Sequence, residues 1–312
     1  MSQRQKPNVG VALSGGGLRG LAHLGVLQVL EENGIPVNVI AGTSMGGIIA
    51  GLYAAGVSLE RLIAFAERTG LMDLASPDRH WRGLFCQKRM AARLADLLGS
   101  EEITFEELRI PAAVVAADLE TGDLIILDKG PLIPALLATS AFPILFSPVR
   151  HEGRWLVDGG VLNNLPVDIV RWMGADRVLG VSVPPSVRLS LEEAEQQRSL
   201  SLRGLRLFGN HTRDWKLPIL IAEASSSITI QAINRRRLAL YPPDLLLEIH
   251  LPNVGLLFSE NGNHAIIEAG RRVALERRAQ LALLQRPLPP AWRRRVTSTA
   301  RRLHRVWREL RV

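Results

Sequence analysis

Two short apolar segments near the N terminus are each followed directly by a glycine-rich turn and then by a segment with helical spacing. Residues 9–13 precede a run of glycines, and residues 37–41 precede the sequence Gly-Thr-Ser-Met-Gly. A continuous apolar segment that ends in glycine is typical of a strand buried on both faces of a parallel sheet. Because parallel strands need helical crossovers, the chain is constrained to an α/β fold, with a mostly parallel central sheet flanked by helices.

The alternation of strands and helices continues to about residue 285. Strands are predicted at residues 177–183 and 245–251, and a hairpin is predicted from residues 111–117 and 124–127. Helices are predicted at residues 21–33, 46–55, 59–69, 87–98, 131–139, 166–173, 219–240 and 265–284. The polar segment 187–216 interrupts the pattern, and we interpret it as a surface excursion or cap on one domain that spans residues 8–285.

The formal net charge of +8 lies at the C-terminal end. Residues 286–312 contain nine arginines and one acid, Glu309, whereas basic and acidic groups balance over residues 1–285. Apolar side chains recur there at helical spacing: Trp292, Val296, Ala300, Leu303, Trp307 and Leu310. The pattern predicts a basic amphipathic helix that docks on its own domain, lies on an anionic membrane through residues 291–312, or binds another macromolecule. No nucleic-acid partner is expected, because the body of the chain is neutral.

Cysteine content and hydropathy exclude several classes of protein. The single cysteine, Cys86, excludes an intramolecular disulfide framework and a multi-cysteine zinc site, and we expect neither a metal nor a cofactor. The sequence has no signal-peptide pattern, and no apolar run reaches the roughly 18 residues of a membrane-spanning helix. We therefore expect a cytoplasmic protein that is at most peripheral at the inner face of the membrane.

The glycine-rich segment Gly15-Gly16-Gly17-Leu18-Arg19-Gly20 follows the first strand and opens the first helix. Free backbone amides at such a position hold negative charge. Either a dinucleotide pyrophosphate site or an oxyanion hole would use them. A dinucleotide site needs an acidic residue at the end of the second strand. That strand instead runs into Ala41 and Gly42, so an oxyanion hole is favoured.

The second glycine-rich turn has the pattern G-x-S-x-G, from Gly42 through Ser44 to Gly46, between a strand and a helix. This is the setting of a nucleophile elbow, in which the flanking glycines remove side chains that would clash in a strained turn. The alternative is a packing turn with a capping serine. The strand–turn–helix context favours Ser44 as a nucleophile.

A serine nucleophile needs a base, and Asp158 is the candidate. It follows two apolar residues and precedes Gly159 and Gly160, which predicts a position at the end of a strand. The alternative is an ordinary turn aspartate, since Asp-Gly pairs are common in turns. A triad with a histidine also stays open, and His264 is then the least implausible member.

Together, GGGLRG, GTSMGG and DGG resemble the motifs of the patatin-like phospholipases, and more closely their bacterial branch related to neuropathy target esterase. The resemblance covers roughly residues 8–270 and includes LAHLGVLQVLEE and residues 138–143 and 163–166. It implies a three-layer α/β/α catalytic domain. It also implies hydrolysis of phospholipid or lysophospholipid esters by a serine–aspartate dyad without histidine, with Ser44 as the nucleophile and Asp158 as the base.

The resemblance implies further roles by position. The amides of Gly15, Gly16 and Gly17 would form the oxyanion hole, with Arg19 supporting the loop, and His23 is interpreted as structural. The chain departs from the family pattern at Leu18, where a smaller residue is usual, and in the run Thr139-Ser140-Ala141-Phe142. We expect these departures to affect the acyl site and not the dyad. Two alternatives stay open: an acyl-CoA thioesterase with the same dyad, and a non-catalytic lipid-binding protein on this fold.

Overall fold

The computed structural model describes residues 6–78, 82–185, 216–252, 254 and 262–287. The strands are β1 (Val9–Leu13), β2 (Val39–Thr43), β3 (Ser76–Pro77), β4 (Phe85–Cys86), β5 (Ala112–Asp118), β6 (Leu124–Leu127), β7 (Val149–His151), β8 (Arg154–Asp158), β9 (Arg177–Ser182) and β10 (Leu245–Glu248). The helices are α1 (Ala22–Glu32), α2 (Met45–Ala54), α3 (Leu59–Arg68), α4 (Lys88–Leu98), α5 (Leu132–Thr139), α6 (Val167–Trp172), α7 (Lys216–Leu240), α8 (Gly262–Glu276) and α9 (Arg278–Leu283).

One large sheet forms the centre of the molecule. Strands β10, β9, β1, β2 and β5 lie side by side in that order and run parallel. Strands β6 and β8 pair antiparallel with β5, and β7 pairs antiparallel with β8. Strands β3 and β4 form a separate two-stranded hairpin. This topology confirms the predicted α/β fold with a mostly parallel central sheet.

The two faces of the sheet pack against different helices, which gives three layers. Alternate residues of a strand point to opposite faces. In β1, Val11 and Leu13 belong to a large core cluster with α1, α2, α3 and α4, whereas Ala12 belongs to a second cluster with α6. Every residue of β1 and β2 is buried, as expected for strands covered on both faces. The flanking by helices on both faces is therefore as predicted.

Helix α1, which follows the glycine-rich loop, packs unusually closely against α8. A Cβ atom on Gly25 would lie 2.1 Å from the Ile267 carbonyl oxygen, and one on Gly270 would lie 1.9 Å from the Ala22 carbonyl oxygen. Both glycines are therefore needed because the two backbones touch at this crossing. The contact fixes the start of α1 and with it the loop that precedes it.

Three differences from the predicted elements have clear physical causes. Strand β2 lies two residues further along than residues 37–41, because its pairing with β1 and β5 continues through Gly42 and Thr43. The predicted helix 265–284 breaks at Arg277, whose amide is shared between the Val273 and Ala274 carbonyls at 3.2 Å each. The short strand β7, which pairs with β8, was not predicted.

Two predicted segments lie almost wholly outside the described residues. Of the predicted surface excursion 187–216 only Lys216 is described, as the first residue of α7, and of the predicted C-terminal helix 286–312 only residues 286 and 287 are. The division into a domain of residues 8–285 and a C-terminal helix therefore stays a prediction. Among the described helices, none combines the length and the hydropathy that crossing a membrane requires.

We predict that Gly270→Ala lowers the free energy of unfolding by about 1–3 kcal/mol, because the new methyl group overpacks the α1–α8 crossing. Helix propensity alone would favour alanine by about 1 kcal/mol, so the sign of the effect separates the two causes. Urea unfolding followed by circular dichroism measures it. Glu268→Ala, at an exposed position of the same helix, is the control. Equal or higher stability of Gly270→Ala would contradict the close contact.

Candidate active site

The ends of β2 and β8 meet along one edge of β5. Val114 and Val115 of β5 pair with β2 on one side and β6 on the other, whereas Ala116 and Ala117 pair with β6 and β8. Strands β2 and β8 therefore share the edge opposite β6 and run towards each other. Thr43, the last residue of β2, is opposite Val115, and Asp158, the last residue of β8, is opposite Ala116. Ser44, which follows β2, and Asp158, which ends β8, are thus brought together.

Ser44 occupies a strained turn directly after β2. Its φ of 56° and ψ of −128° lie outside the regions that a residue with a side chain ordinarily adopts. A Cβ atom on Gly42 would lie 2.2 Å from the Gly46 carbonyl oxygen, and one on Gly46 would lie 2.5 Å from the Ser14 carbonyl oxygen. The G-x-S-x-G pattern is therefore required by sterics, because the turn leaves no room at either glycine.

Two threonines anchor the turn. The Ser44 amide donates a hydrogen bond of 3.0 Å to Thr139 Oγ1, and the Thr139 hydroxyl donates to the Val115 carbonyl. The Thr43 hydroxyl donates a bond of 2.9 Å to the Asn163 carbonyl. The expectation that the run 139–142 affects the acyl site and not the dyad is therefore wrong for Thr139, whose bond to the Ser44 amide joins residues 95 positions apart in the chain. Its place in the 138–143 segment was the available signal.

The Asp158 carboxyl group is buried beside Ser44, with 2% of the residue exposed. It accepts a hydrogen bond of 2.8 Å from the Gly160 amide, and the nearby Ser44 side chain favours its ionised form. Burial raises its pKa from 3.8 to about 6, although the hydrogen bonds from Ser44 and Gly160 oppose that rise. Above about pH 6 the site therefore holds an ionised carboxylate beside Ser44.

The glycine-rich loop lies against the same turn. Gly17, with a φ of 59°, lines one cleft together with Ser44 and begins the short 3-10 helix Gly17–Leu21. The first amides of such a helix have no partner within it. Gly15 differs from its neighbours, because its amide donates a hydrogen bond of 3.1 Å to the Asn164 carbonyl. Of the three glycines, Gly16 and Gly17 are placed at the helix start, whereas the Gly15 amide, which was expected in the oxyanion hole, is used to anchor the loop.

Arg19 is buried beneath the loop, with 4% of the residue exposed. Its guanidinium Nη1 donates a hydrogen bond of 3.1 Å to the Val254 carbonyl. The arginine therefore ties the glycine-rich loop to the segment that follows β10. This position agrees with a role in holding the loop.

His264 and His23, the two histidines discussed in the sequence analysis, make contacts away from Ser44 and Asp158. His264 lies on the surface with 71% of its side chain exposed, and its Nδ1 is 2.7 Å from the Glu67 carboxylate of α3. His23 is fully buried, and its Nε2 is 2.8 Å from the Ser14 carbonyl oxygen. Burial lowers the pKa of His23 to about 4 despite that hydrogen bond, so the ring is neutral near pH 7. Both act as structural links between elements.

The cleft at Ser44 is predominantly apolar. Its remaining walls come from α2, from α4 and from the segment that follows α5: Met45, Ile48, Met90, Ser140, Phe142, Leu145 and Phe146. A serine in a strained turn beside a buried carboxyl group, next to an apolar wall, is an arrangement suited to nucleophilic attack on the carbonyl of an apolar ester.

Comparison with known proteins identifies a family of lipid hydrolases whose sequences match this chain. The family model for patatin-like phospholipases matches residues 11–171, just over half of the chain. An uncharacterized NTE family protein of Mycobacterium bovis is 36% identical over 196 residues, which cover 61% of this chain and 52% of that protein. A lysophospholipase, NTE1, of Mycosarcoma maydis is 31% identical over 56% of this chain and 10% of that protein.

The chain thus spans about half the length of the mycobacterial relative and a smaller part of the fungal one. Among solved structures, VipD from Legionella pneumophila superposes with a TM-score of 0.51 at 15% identity, covering 87% of this chain and 66% of that one. At this identity the likeness concerns the fold alone. The matched family model includes the glycine-rich loop, the serine turn and Asp158, and this chain belongs to the patatin-like phospholipase family.

Proposed function

We propose that this protein is a serine hydrolase that cleaves carboxylic esters of phospholipids or lysophospholipids. The observation that carries the proposal is the placement of Ser44 and the buried Asp158 carboxyl group side by side, at the ends of two strands that meet on β5. The apolar cleft and the family membership support a lipid ester as the substrate. Ser44 is the nucleophile and Asp158 is the base.

In the first half of the reaction, Ser44 Oγ forms a bond to the ester carbonyl carbon while its proton moves to Asp158. The carbonyl oxygen becomes an oxyanion that accepts hydrogen bonds from the amides of Gly16 and Gly17. Each such donor contributes about 3 kcal/mol in comparable enzymes. The tetrahedral intermediate then collapses, the ester C–O bond breaks, and Asp158 returns its proton to the leaving alcohol. Gly15 and Arg19 support the loop by their bonds to Asn164 and Val254.

In the second half, a water molecule attacks the acyl-serine. Asp158 accepts the proton of the water, and the new tetrahedral intermediate collapses to release the fatty acid. The proton passes from Asp158 to Ser44 Oγ, which restores the starting state. One carboxyl group thus moves every proton of the cycle, so no histidine is required.

An aspartate is ordinarily a weak base towards an alcohol. Burial makes Asp158 more basic, since its pKa of about 6 lies above the usual 3.8. Each unit of pKa corresponds to about 1.4 kcal/mol, and a base with a pKa near the working pH is favoured in general base catalysis. The apolar surroundings therefore give the carboxylate part of the basicity that a histidine would supply.

We further propose that residues 286–312 hold the enzyme peripherally at an anionic membrane, next to its substrate. The proposal rests on the sequence, where nine arginines accompany an apolar stripe that includes Trp292 and Trp307. Each basic residue near an anionic surface contributes about 1 kcal/mol to binding. The neutral body would then carry the catalytic site, and the C-terminal segment would carry the attraction to the surface.

We predict that Ser44→Ala and Asp158→Asn each lower kcat/KM for p-nitrophenyl butyrate by about a thousandfold or more, because they remove the nucleophile or the base. Asp123→Asn, at an exposed position beyond β5, is the matched control and keeps the wild-type rate. Circular dichroism checks that each variant is folded.

Substantial activity in Asp158→Asn would mean that another group accepts the proton and would contradict the dyad. A fluorophosphonate probe that labels the wild type but not Ser44→Ala identifies the nucleophile independently. Release of fatty acid from a panel of phosphatidylcholine, lysophosphatidylcholine and acyl-CoA then distinguishes a lipid ester hydrolase from a thioesterase. No labelling and no release would favour a non-catalytic lipid-binding protein.

We predict that kcat/KM rises with pH through an apparent pKa of about 6. Only the ionised form of Asp158 accepts the serine proton, so activity falls about tenfold per pH unit below that value. Initial rates with p-nitrophenyl butyrate between pH 4.5 and 8 measure the profile. His264→Ala is expected to keep the same profile, whereas a profile that changes in this variant would return His264 to the mechanism.

We predict that a chain ending at Arg286 binds vesicles of phosphatidylglycerol about tenfold or more weakly than the full chain, because the loss of arginines removes the attraction to anionic lipid. Sedimentation with vesicles at about 0.1 M salt measures the binding. Neutral phosphatidylcholine vesicles are the control. Equal binding of the two chains to anionic vesicles would remove the membrane role of residues 286–312.

A further inference from the structure

Asn163 connects the turn that follows Asp158 to the residue that precedes Ser44. Its amide donates a hydrogen bond of 2.8 Å to the Gly159 carbonyl, and its own carbonyl accepts a bond of 2.9 Å from the Thr43 hydroxyl. The residue is fully buried. A displacement of Asn163 would therefore change the position of Asp158 relative to Ser44.

The side chain of Asn163 is held by Asp168, in the first turn of α6. Asn163 Nδ2 donates a hydrogen bond of 2.9 Å to Asp168 Oδ1, and Arg237 Nη2 of α7 donates to the second carboxylate oxygen, Oδ2. An ionised carboxylate only accepts hydrogen bonds, so it joins two donors that could not bind each other. Hydrogen bonds to a charged group are also stronger than those between neutral groups. A continuous set of polar contacts thus runs from Arg237 through Asp168 to Asn163.

Helix α6 is fastened to the C-terminal part of α7 and the segment after it by two groups of ion pairs. The first is the pair of Arg237 and Asp168. In the second, Asp244 accepts hydrogen bonds of 2.8 Å each from Arg171 of α6 and Arg177 of β9. The second group joins α6 to β9 and the segment before β10, whereas the first continues to Asn163 and the turn after β8. Helix α7 also packs directly against that turn.

We propose that Arg237 and Asp168 are positioning residues of the hydrolase, which hold Asn163 and thereby set the separation of Ser44 and Asp158. The proposal rests on the proposed function, because that function makes Ser44 the nucleophile and Asp158 the base. Neither Arg237 nor Asp168 lines the cleft at Ser44, so both act through Asn163. Loss of the ion pair lowers kcat and leaves KM almost unchanged, because the reacting groups lose their alignment while the walls of the cleft stay in place.

Arg237→Met tests the proposal, because methionine keeps an unbranched apolar stem and removes the guanidinium group. We expect kcat for p-nitrophenyl butyrate to fall about tenfold or more, with KM within about twofold of the wild-type value. Arg237→Lys restores a cation beside Asp168. Because the bond to Asp168 uses a single nitrogen, Nη2, lysine is expected to return kcat to within about threefold of the wild type.

Arg171→Met is the matched control. The Arg171 side chain is 23% exposed and that of Arg237 is 27% exposed, and each pairs with one aspartate where α6 meets the end of α7. The control is expected to keep the wild-type kcat, because its ion pair does not lead to Asn163. Equal losses of kcat in the two variants would overturn the proposal, since the cause would then be a general loosening of α6.

A folded Arg237→Met variant with the wild-type kcat would also overturn the proposal. Asp168→Asn serves if Arg237→Met does not fold. It has nearly the same shape but replaces one acceptor oxygen by a donor, so it cannot satisfy both Asn163 and Arg237. The same fall in kcat is expected, and a wild-type kcat in Asp168→Asn would contradict the positioning role.

Amide hydrogen exchange separates this proposal from the proposed function. The amides of Gly160 and Asn163 are both hydrogen-bonded within the turn that follows Asp158. In Arg237→Met we expect them to exchange about tenfold or more faster than in the wild type, whereas Arg171→Met keeps the wild-type rates. Unchanged exchange in Arg237→Met would overturn the positioning role even in an active enzyme. Faster exchange confined to Arg237→Met, in a protein without esterase activity, would keep the link from α7 to this turn and reject the hydrolase.

Discussion

The geometry of the site depends on two strands that run towards each other along one edge of β5. Because Thr43 and Asp158 pair with consecutive residues of β5, the turn after β2 and the end of β8 have to meet. Strand β2 is parallel to β5 and ends beside Val115. Strand β8 is antiparallel to β5, so it approaches the same point from the opposite direction and ends beside Ala116. The antiparallel strands thus bring the carboxylate to the serine within a sheet that is otherwise parallel.

Two features of the point where β2 and β8 meet are unfavourable for the stability of the fold. Ser44 has a positive φ, and Asp158 is ionised in an apolar environment above about pH 6. Because burial raises the pKa of Asp158 above 3.8, the protonated carboxyl favours folding, and this contribution is lost as the pH rises from about 4 to about 6. Near neutral pH the fold is therefore less stable than it would be without the charge. Enzymes commonly give up stability in this way where a reactive group is needed.

The sequence was sufficient to predict the residues whose type is fixed by local geometry. The turn around Ser44 needs glycine at positions 42 and 46, because backbone atoms occupy the space that a Cβ atom would take there. The short G-x-S-x-G pattern is therefore enough to identify the turn. Thr139 was not identified, because its hydrogen bond to the Ser44 amide depends on how α5 packs against β5. The break of the predicted helix 265–284 at Arg277 was missed for a similar reason, since helical spacing continues across it. Local sterics are visible in a sequence window, whereas contacts between distant segments are not.

The segment that follows Asp158 explains how Asp158 and the glycine-rich loop keep their relative positions. Within six residues of Asp158, the Asn163 carbonyl accepts the Thr43 hydroxyl, and the Asn164 carbonyl accepts the Gly15 amide. One short segment thus binds both the strand before Ser44 and the glycine-rich loop. The proposed mechanism accordingly uses the amides of Gly16 and Gly17, and not the anchored Gly15 amide, for the oxyanion. In the mechanism that we propose, a loop fixed before the substrate arrives needs no reorganisation during the reaction, and such preorganisation is what makes hydrogen bonds to an oxyanion effective.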